Sequence, residues 1–387
     1  MRDDETQLPG DLAALRQEID SIDDELLACL HRRASLVHDV AAWKRAHSQP
    51  FYVPDRERQV IERLQRASQG PFPAEAVRVV FSEIMSACLS LEERLKVAYL
   101  GPEATFTHQA SRSRFGLSAL YVPAATIAGV FAEVERGRAD VGVVPIENSA
   151  EGVVSHTLDV FLDSDLVIGQ EIVIEVSHCL LTRAGSLEEI EKVYSHPQAL
   201  GQCRVWLGAH LPGRPLIEVA STALAARLAK DDPTAAAVAS ELAGRLYDLK
   251  VAGSKIQDAS PSITRFLVIK RPEPSPPAGP PTAPSGRDKT SILFGLKEAP
   301  GALYRALAPL AEAGITLTRI ESRPSRRRAW EYVFFIDVEG HVNEPALKGA
   351  LERFQTQCSL VKVLGSYPSE TRGDAGGKAR GDVRGEE

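Results

Sequence analysis

The chain has 387 residues, enough for two to four domains, and its 44% hydrophobic and 25% charged residues are ordinary for a globular protein. A net charge of −7 gives no support to a nucleic-acid partner, and no apolar run approaches the ~20 residues of a membrane span. The five cysteines show no CxxC spacing and the acidic first residues are not a signal peptide, so we expect reduced thiols in a cytoplasmic protein. The scattered histidines predict no metal site, and we expect no cofactor.

Residues 11–46 are predicted to form one long helix, because apolar residues recur at steps of three and four without a breaker. About 36 residues at 1.5 Å each span roughly 54 Å, which is too long for burial within a domain of about 95 residues. Such a helix usually packs against another chain. Two shorter helices are predicted at about 55–68 and 74–95.

Two cations interrupt the apolar face of the long helix. Arg33 and Lys44 are eleven residues apart, which at ~100° per residue places them within about 20° of each other. They are either long side chains that reach solvent from the helix edge or a cationic pocket for a carboxylate substrate. Arg16 points about 100° away from Arg33, so a site built from two chains would bring both to one ligand more readily.

The motifs of this region resemble the all-helical chorismate mutase domain. They are Ala-Leu-Arg at 14–16, His-Arg-Arg at 31–33, Lys44, Asp55-Arg56-Glu57 and Cys88 to Glu92. The resemblance implies an intertwined dimer that holds the reactive conformer of chorismate and stabilises charge on the breaking ether oxygen. The implied substrate-binding residues are Arg16 (from the partner chain), Arg33, Arg56, Glu57 and Cys88. The implied catalytic residues are Lys44 and Glu92, which face the ether oxygen.

Three positions depart from the commoner mutase pattern. Val53 stands where an aspartate is frequent, Cys88 replaces a serine, and Glu92 replaces a glutamine. A glutamate can donate a hydrogen bond only when it is protonated. We therefore expect these changes to tune the site.

Strand and helix patterns alternate over residues 96–271, which predicts an α/β layer architecture. Polar clusters lie at the ends of several strands. Two strands run into such clusters, at Val144–Ser149 and Tyr194–Gln198, and a third cluster precedes the strand that contains Thr264. Side chains at the carboxyl ends of strands are where open α/β sheets bind ligands. Ser221-Thr222 opens a helix whose N-terminus is suited to an anion.

These clusters, with Leu100–Glu103 and Thr264-Arg265-Phe266, resemble the motifs of prephenate dehydratases. The resemblance implies two α/β lobes with the site in the cleft between them. It implies that Thr264 is catalytic, donating a hydrogen bond that helps hydroxide leave as carbon dioxide is lost. The implied substrate-binding residues are Thr105, Glu147, Asn148, Ser149, Ser195, Gln198, Ser221, Thr222, Arg265 and Phe266. Ala104 stands where the family usually has a glycine. Its side chain narrows the backbone conformations open to that turn and can shift Thr105.

The proline-rich residues 272–288 predict a semi-rigid linker, and independent cores for the two activities are expected to let each tolerate loss of the other. Residues 289–368 predict the order βαββαβ of a ferredoxin-like fold, and residues 369–387 a disordered tail. This block resembles the ACT domain of prephenate dehydratases. The implied phenylalanine-binding residues are Gly301, Ala302, Leu303, Glu321, Ser322, Arg323 and Pro324. We expect the arginine-rich turn at 323–328 to be solvated, not to bind nucleic acid.

The chain is therefore identified as a member of the bifunctional chorismate mutase–prephenate dehydratase family, with a helical domain at 1–95 and a dehydratase domain at 96–271. The resemblance implies a homodimer or higher homo-oligomer that converts chorismate through prephenate to phenylpyruvate under phenylalanine control. No membrane or nucleic acid is expected as a partner. Two alternatives stay open: a dehydratase that prefers arogenate, with a helical region that only dimerises, or an amino-acid-binding regulator without chemistry.

Overall fold

The computed structural model describes residues 12–47, 52–259, 262–272, 284–297, 299–324 and 332–370. It divides into two compact units, one of the described residues up to Leu95 with Phe115–Ala119, the other of Lys96–Arg114 with the described residues from Leu120 onward. Linker residues 273–283, the arginine-rich turn after Pro324 and tail residues 371–387 lie outside the described residues.

The first unit contains the three predicted helices. They are α1 (Leu12–Ala46), α2 (Pro54–Ala67) and α3 (Ala74–Ser90). Proline at the first position of α2 has the φ that a helix needs and lacks a donor that would be unpaired there. The helix α3 ends at Ser90, before the predicted 95, so Glu92 lies just beyond it.

The apolar face of α1 is exposed within the single chain. Ile19, Ile22 and Leu26 are 57%, 51% and 57% exposed, and Ala41 is the buried residue of this helix. An isolated helix with this pattern leaves a long apolar stripe in water, which is unfavourable.

The second unit begins with two α/β lobes. The first lobe contains β1 (Lys96–Leu100), α4 (Phe106–Phe115), β2 (Leu120–Ala124), α5 (Ile127–Glu135), β3 (Val141–Asn148), β4 (Gly152–Val153), α6 (Ser155–Phe161), β5 (Val167–Val176) and β11 (Ser262–Lys270). The second lobe contains β6 (Cys179–Thr182), β7 (Lys192–Ser195), α7 (Pro197–Gln202), α8 (Arg204–His210), β8 (Leu216–Glu218), α9 (Thr222–Asp231), β9 (Ala235–Ala239), α10 (Glu241–Tyr247) and β10 (Lys250–Gly253). The strand orders are β2-β1-β3-β11-β5, with β4 beside β3, and β10-β6-β9-β7-β8. The chain thus leaves the first lobe after β5 and returns to it through β11.

A proline interrupts the central strand β3 close to its end. Pro145 has no N–H, so within a sheet it is confined to edges and bulges. The pairing with β11 shifts there, because Arg265 faces Glu147 whereas Phe266 faces Pro145, which leaves Ile146 as an extra residue. Such a bulge bends a strand and re-aims the side chains beside it.

The C-terminal domain has the predicted order βαββαβ, with sheet order β13-β14-β12-β15. Its elements are β12 (Asp288–Gly295), α11 (Ala302–Glu312), β13 (Leu317–Pro324), β14 (Tyr332–Glu339), α12 (Pro345–Gln357) and β15 (Leu360–Pro368). One face of its sheet packs under the two helices, where Phe294 and Phe354 meet edge to face.

The other face of this sheet packs against the first lobe. Leu293, Phe335 and Leu364 belong to the same buried cluster as Ile168 and Leu267. A Cβ on Gly365 would overlap the carbonyl oxygen of Ile168, so only glycine allows β15 to approach β5 this closely. The dehydratase domain and the C-terminal domain therefore share a core.

Candidate active sites

Thr264 lies near the start of β11, opposite Asn148, the last residue of β3. The side-chain amide of Asn148 donates to Thr264 Oγ1 at 2.7 Å and to Ser262 Oγ at 3.3 Å. Asn148 Oδ1 accepts from the backbone N–H groups of Ala150 and Glu151 at 2.9 and 3.1 Å. Because two backbone donors face Oδ1, the amide can only turn its NH₂ towards Thr264.

This arrangement fixes the direction in which Thr264 can act. Its oxygen accepts from Asn148, so its own O–H is left to donate. The residue Thr264 is 8% exposed and lies near the start of a strand whose following residues are buried. A hydroxyl held in this way supplies a hydrogen bond to a departing oxygen without changing its own charge.

Ser149 joins the end of β3 to the start of β11, the corner that holds Thr264, through its backbone and its side chain. Its N–H donates to Ile263 O at 2.8 Å, and its Oγ accepts from Ile263 N at 2.9 Å. Both bonds join the end of β3 to the residue before Thr264. The predicted role of Ser149 as a substrate contact stays a prediction, and its observed contacts hold the corner together.

The turn after β1 keeps a glycine-like conformation although it carries alanine. Ala104 has φ +70° and is buried, and its N–H donates to His108 Nδ1 at 3.1 Å. Thr105 Oγ1 donates to Leu100 O at 3.0 Å and accepts from the backbone N–H of His108 at 3.3 Å. Burial, and to a lesser degree the Arg112 charge, lower the pKa of His108 to about 4, so its ring is neutral and Nδ1 can accept.

The second lobe contributes residues from two strand ends. Ser195 is fully buried, and its Oγ donates to Val238 O at 2.6 Å. Gln198 is half-buried on α7. Ser221 caps α9 by accepting from Leu224 N at 3.0 Å, and Thr222 is the first residue of that helix.

Glu151 of the first lobe and His196 of the second lobe interact electrostatically. Burial raises the pKa of Glu151, and the nearby His196 of the second lobe opposes that shift. Glu151 follows Asn148 by three residues, and His196 lies between Ser195 and Gln198. The turn after β3 and the turn after β7 are therefore close enough for Glu151 and His196 to influence each other.

Arg265 and Phe266 do not line this corner together. Phe266 is 1% exposed, within the sheet. Arg265 points to the opposite face of β11 from Thr264, where its guanidinium binds Glu171 and Asp337 at 2.6 and 2.7 Å. The predicted contact between Arg265 and substrate is not favoured by this placement. Glu147 shares that face, with its Oε2 3.8 Å from Arg265 Nη1.

Sequence reasoning gave no role to His178 and Gln202. His178 connects β5 to β6, and its Nε2 lies 2.8 Å from Gln202 Oε1. Burial lowers the pKa of His178, and its Nδ1 is buried without a hydrogen-bond partner among the described residues. Gln202 stands four residues after Gln198, on the same face of the short helix α7. That spacing is the sequence feature that places Gln202 beside a predicted site residue.

In the helical unit, the predicted mutase residues come from all three helices. Arg33 is half-buried, and its Nη1 is buried with no hydrogen-bond partner in the described structure. Lys44, Glu57 and Glu92 are also half-buried, whereas Cys88 is buried. A buried guanidinium nitrogen without a partner is costly, which is the state expected of a site built for a carboxylate.

Arg16 cannot complete this site from the same chain. It is exposed, and in one continuous helix it lies seventeen residues from Arg33, about 26 Å along the axis. Arg56 is exposed at the start of α2. Arg16 and Arg33 are therefore too far apart within one chain to contact one small ligand together.

The predicted effector motifs lie at the start of α11 and on the edge strand β13. Gly301 adopts φ +72° as the residue before α11, followed by half-buried Ala302 and Leu303. Ser322 and Pro324 are exposed, whereas Glu321 and Arg323 point inward. Arg323 binds Asp159 Oδ1 at 3.0 Å and Ser155 Oγ at 3.1 Å, so its side chain is committed to helix α6 of the first lobe.

Two further features are absent from the described residues. They hold no group of His, Cys, Asp or Glu side chains arranged to bind a metal. They also hold no helix long and apolar enough to cross a membrane.

Comparison with known proteins matches three family models along the chain. They are chorismate mutase type II at residues 15–93, prephenate dehydratase at 97–274 and the ACT domain at 290–355. A bifunctional chorismate mutase/prephenate dehydratase from Aquifex aeolicus is 51% identical over 362 residues, covering 92% of this chain and 98% of the relative. The protein of the same description from Pseudomonas aeruginosa is 45% identical over 363 residues, covering 92% of this chain and 97% of the relative. A solved prephenate dehydratase from Arthrobacter aurescens, described as a complex with L-Phe, is similar at a TM-score of 0.64 and 33% identity, covering 71% of this chain and 90% of that one.

Proposed function

The chain belongs to the family of bifunctional chorismate mutase/prephenate dehydratases, and we propose how its described residues divide the two reactions. The helical unit rearranges chorismate to prephenate. The two-lobed domain removes carbon dioxide and hydroxide from prephenate and yields phenylpyruvate, with one proton taken up to release the hydroxide as water. Membership in this family argues against the alternative that the chain is an amino-acid-binding regulator without catalytic activity.

The Asn148–Thr264 hydrogen bond carries the dehydratase proposal. The reaction breaks a C–O bond, so negative charge develops on the leaving oxygen. Thr264 donates its O–H to that oxygen while Asn148 holds the threonine oxygen from behind. Ser149, Thr105 and Gln198 surround or support the substrate, and Ser221 and Thr222 present the N-terminus of α9 to a carboxylate.

The buried, unpartnered nitrogen of Arg33 carries the mutase proposal. Arg33 and Arg56 bind the carboxylates of chorismate, Glu57 takes its hydroxyl, and Lys44 and Glu92 face the ether oxygen. No covalent intermediate is needed, since holding the reactive conformer and stabilising the ether oxygen supply the catalysis.

A homodimer completes the mutase site. The exposed apolar face of α1 packs against the same helix of a second chain. In that arrangement the partner subunit's Arg16 reaches the pocket of Arg33. A dimer also removes the exposed apolar surface of Ile19, Ile22 and Leu26.

Subunit mixing tests this shared site. Arg16→Ala and Arg33→Ala should each be inactive as mutases when pure. After the two are unfolded and refolded together, about half of the dimers are mixed and one of their two sites is intact, so about a quarter of the parental activity should return. A mixture that stays inactive, while parental protein recovers from the same treatment, would place both arginines in one subunit's site.

Phenylalanine is the proposed effector of the C-terminal domain. The Arthrobacter aurescens relative is described in complex with L-Phe, and this chain offers the α11 start and the exposed residues Ser322 and Pro324. We place the ligand between two such domains, against backbone groups of Gly301 to Leu303. Gly301→Ala, which forces a side chain into a left-handed position, should weaken phenylalanine binding in calorimetry; unchanged binding would contradict the site.

A coupled assay tests the whole assignment. Chorismate supplied to the protein should give phenylpyruvate, with phenylalanine slowing the second step. Offering arogenate and prephenate in parallel decides between the proposed preference for prephenate and the alternative dehydratase. We propose that the enzyme acts in the cytoplasm and without a cofactor.

A further inference from the structure

A buried cluster of charges joins the dehydratase sheet to the C-terminal domain, directly behind Thr264. We name it the interdomain charge cluster, and its members are Glu171, Arg265, Lys289, Ser291, Asp337 and Tyr367. All six are buried, between 0% and 8% exposed. Two of them come from β5 and β11 of the first lobe, and the other four from β12, β14 and β15 of the C-terminal domain.

Arg265 is the centre of this cluster. Its Nε donates to Glu171 Oε2 at 2.6 Å, its Nη1 to Asp337 Oδ2 at 2.7 Å and its Nη2 to Tyr367 Oη at 3.0 Å. Three bonds in one plane fix the guanidinium in position and in rotation. Two of the three acceptors belong to the C-terminal domain.

The remaining members hold those acceptors in place. Ser291 Oγ lies 2.5 Å from Asp337 Oδ1 and 2.6 Å from Tyr367 Oη. Lys289 Nζ donates to Glu171 Oε2 at 3.1 Å. Burial opposes the charge on Asp337, but the Arg265 guanidinium offsets it and holds the Asp337 pKa below its usual range. Two cations balance two anions, so the cluster is neutral as a whole.

The strand connects this cluster to the proposed donor. Successive residues of a strand point to opposite faces, so Thr264 faces Asn148 while Arg265 faces the C-terminal domain. Thr264 and Arg265 share one peptide unit, and the β3 pairing shifts immediately afterwards. The extra residue lies on β3, so the ladder of β11 is locally disrupted on that side while its pairing with β5 continues, and the bonds of the Arg265 side chain add to what fixes the strand there.

We propose that Arg265 is a positioning residue of the dehydratase: bound to Asp337 and Tyr367 of the C-terminal domain, it fixes the backbone that presents the Thr264 hydroxyl. This inference rests on the proposed role of Thr264. It makes the C-terminal domain part of the catalytic support, beyond its role in effector binding. Arg265 itself contacts no substrate.

The test uses changes in the C-terminal domain that leave the dehydratase lobes untouched. Tyr367→Phe removes one acceptor of Arg265 with little change in shape, and Asp337→Asn removes the charge of another. Each should lower the dehydratase kcat about tenfold, equivalent to about 1.4 kcal/mol in the barrier, with KM for prephenate changed less than about twofold. Mutase turnover of the same preparations should stay at the parental value. Tyr304→Phe, at a tyrosine that is 78% exposed on α11, is the matched control and should leave kcat unchanged.

A double-mutant cycle separates positioning from a general loss of stability. Thr264→Ser keeps a hydroxyl but lets it rotate more freely. If Arg265 acts through Thr264, adding Tyr367→Phe to Thr264→Ser should cost much less than it costs alone. Equal costs in the two backgrounds would overturn the proposal, as would a Tyr367→Phe variant that melts earlier but keeps its kcat.

Failure of the underlying function gives a different result. If Thr264→Ala keeps full dehydratase activity, the assignment of Thr264 fails, whatever the cluster variants do. If Thr264→Ala is inactive and both cluster variants are fully active, only the positioning role of Arg265 fails. Arg265→Lys, which can keep one of the three bonds, should retain more activity than Arg265→Met; the reverse order would also count against the proposal.

Discussion

Replacing Ala104 with glycine measures the strain held in the turn before Thr105. At φ +70° a side chain costs roughly 1–2 kcal/mol relative to glycine. Against this relief stand the loss of a buried methyl, about 0.8 kcal/mol, and the extra freedom of glycine in the unfolded chain, about 0.5–1 kcal/mol. The terms nearly cancel, so Ala104→Gly should change the free energy of unfolding by less than about 0.5 kcal/mol.

Ala98→Gly is the matched control for this prediction. Ala98 is fully buried in β1, and its φ is not among the positive values of the chain. No strain is relieved there, so the two unfavourable terms add to about 1.5 kcal/mol of destabilisation.

The assay is urea denaturation of both variants, comparing the midpoint of the transition that reports the second unit. Ala98→Gly should move that midpoint clearly and Ala104→Gly hardly at all. Equal shifts would show that the left-handed turn holds no strain, and the reasoning about Ala104 would be refuted.

Three further predictions concern the pH dependence of stability, the proposed donor of the mutase site and the packing of β15 against β5. The pKa of His108 is about 4 in the folded chain against 6.5 when unperturbed, so the unfolded state binds the proton first and stability, full above about pH 6.5, is lost as pH falls towards 4; His108→Gln should flatten that part of the stability profile measured by urea denaturation. Glu92→Gln, which places a neutral donor opposite the ether oxygen, should keep mutase turnover, whereas Glu92→Leu should lose most of it, and equal turnover of the two variants would remove Glu92 from the role. Gly365→Ala should separate β15 from Ile168 and lower the thermal midpoint of the second unit and its dehydratase activity, whereas Gly349→Ala, whose added Cβ meets nothing within 4 Å, should be harmless in the same assays.

The order of elements was accessible from sequence because each has a clear period. The C-terminal domain alternates strand and helix patterns, and its βαββαβ order is the predicted one. The length of α1 followed from an unbroken apolar repeat. The pairing of Asn148 with Thr264 did not follow, since it depends on β11 returning between β3 and β5 after the second lobe.

Arg265 shows why a contiguous motif can mislead. The motif predicts substrate contacts for both Arg265 and Phe266 beside Thr264, although strand alternation sends neighbouring side chains to opposite faces. Its partners Glu171 and Asp337 lie 94 and 72 residues away and belong to no motif. Only the packing of the C-terminal sheet on the first lobe brings them together.

The shared core also changes how the chain can be divided. A truncation of residues 289–387 would expose Ile168 and Leu267 and leave Arg265 without two of its acceptors. Point variants are the cleaner way to separate regulation from catalysis in this chain.

The claim that one chain holds two separate sites is tested most directly by following chorismate through two variants. With Thr264→Ala, prephenate should accumulate at the parental rate while little phenylpyruvate forms. With Arg33→Ala, chorismate should persist, yet added prephenate should be converted normally. Loss of both reactions in either folded variant would contradict the account.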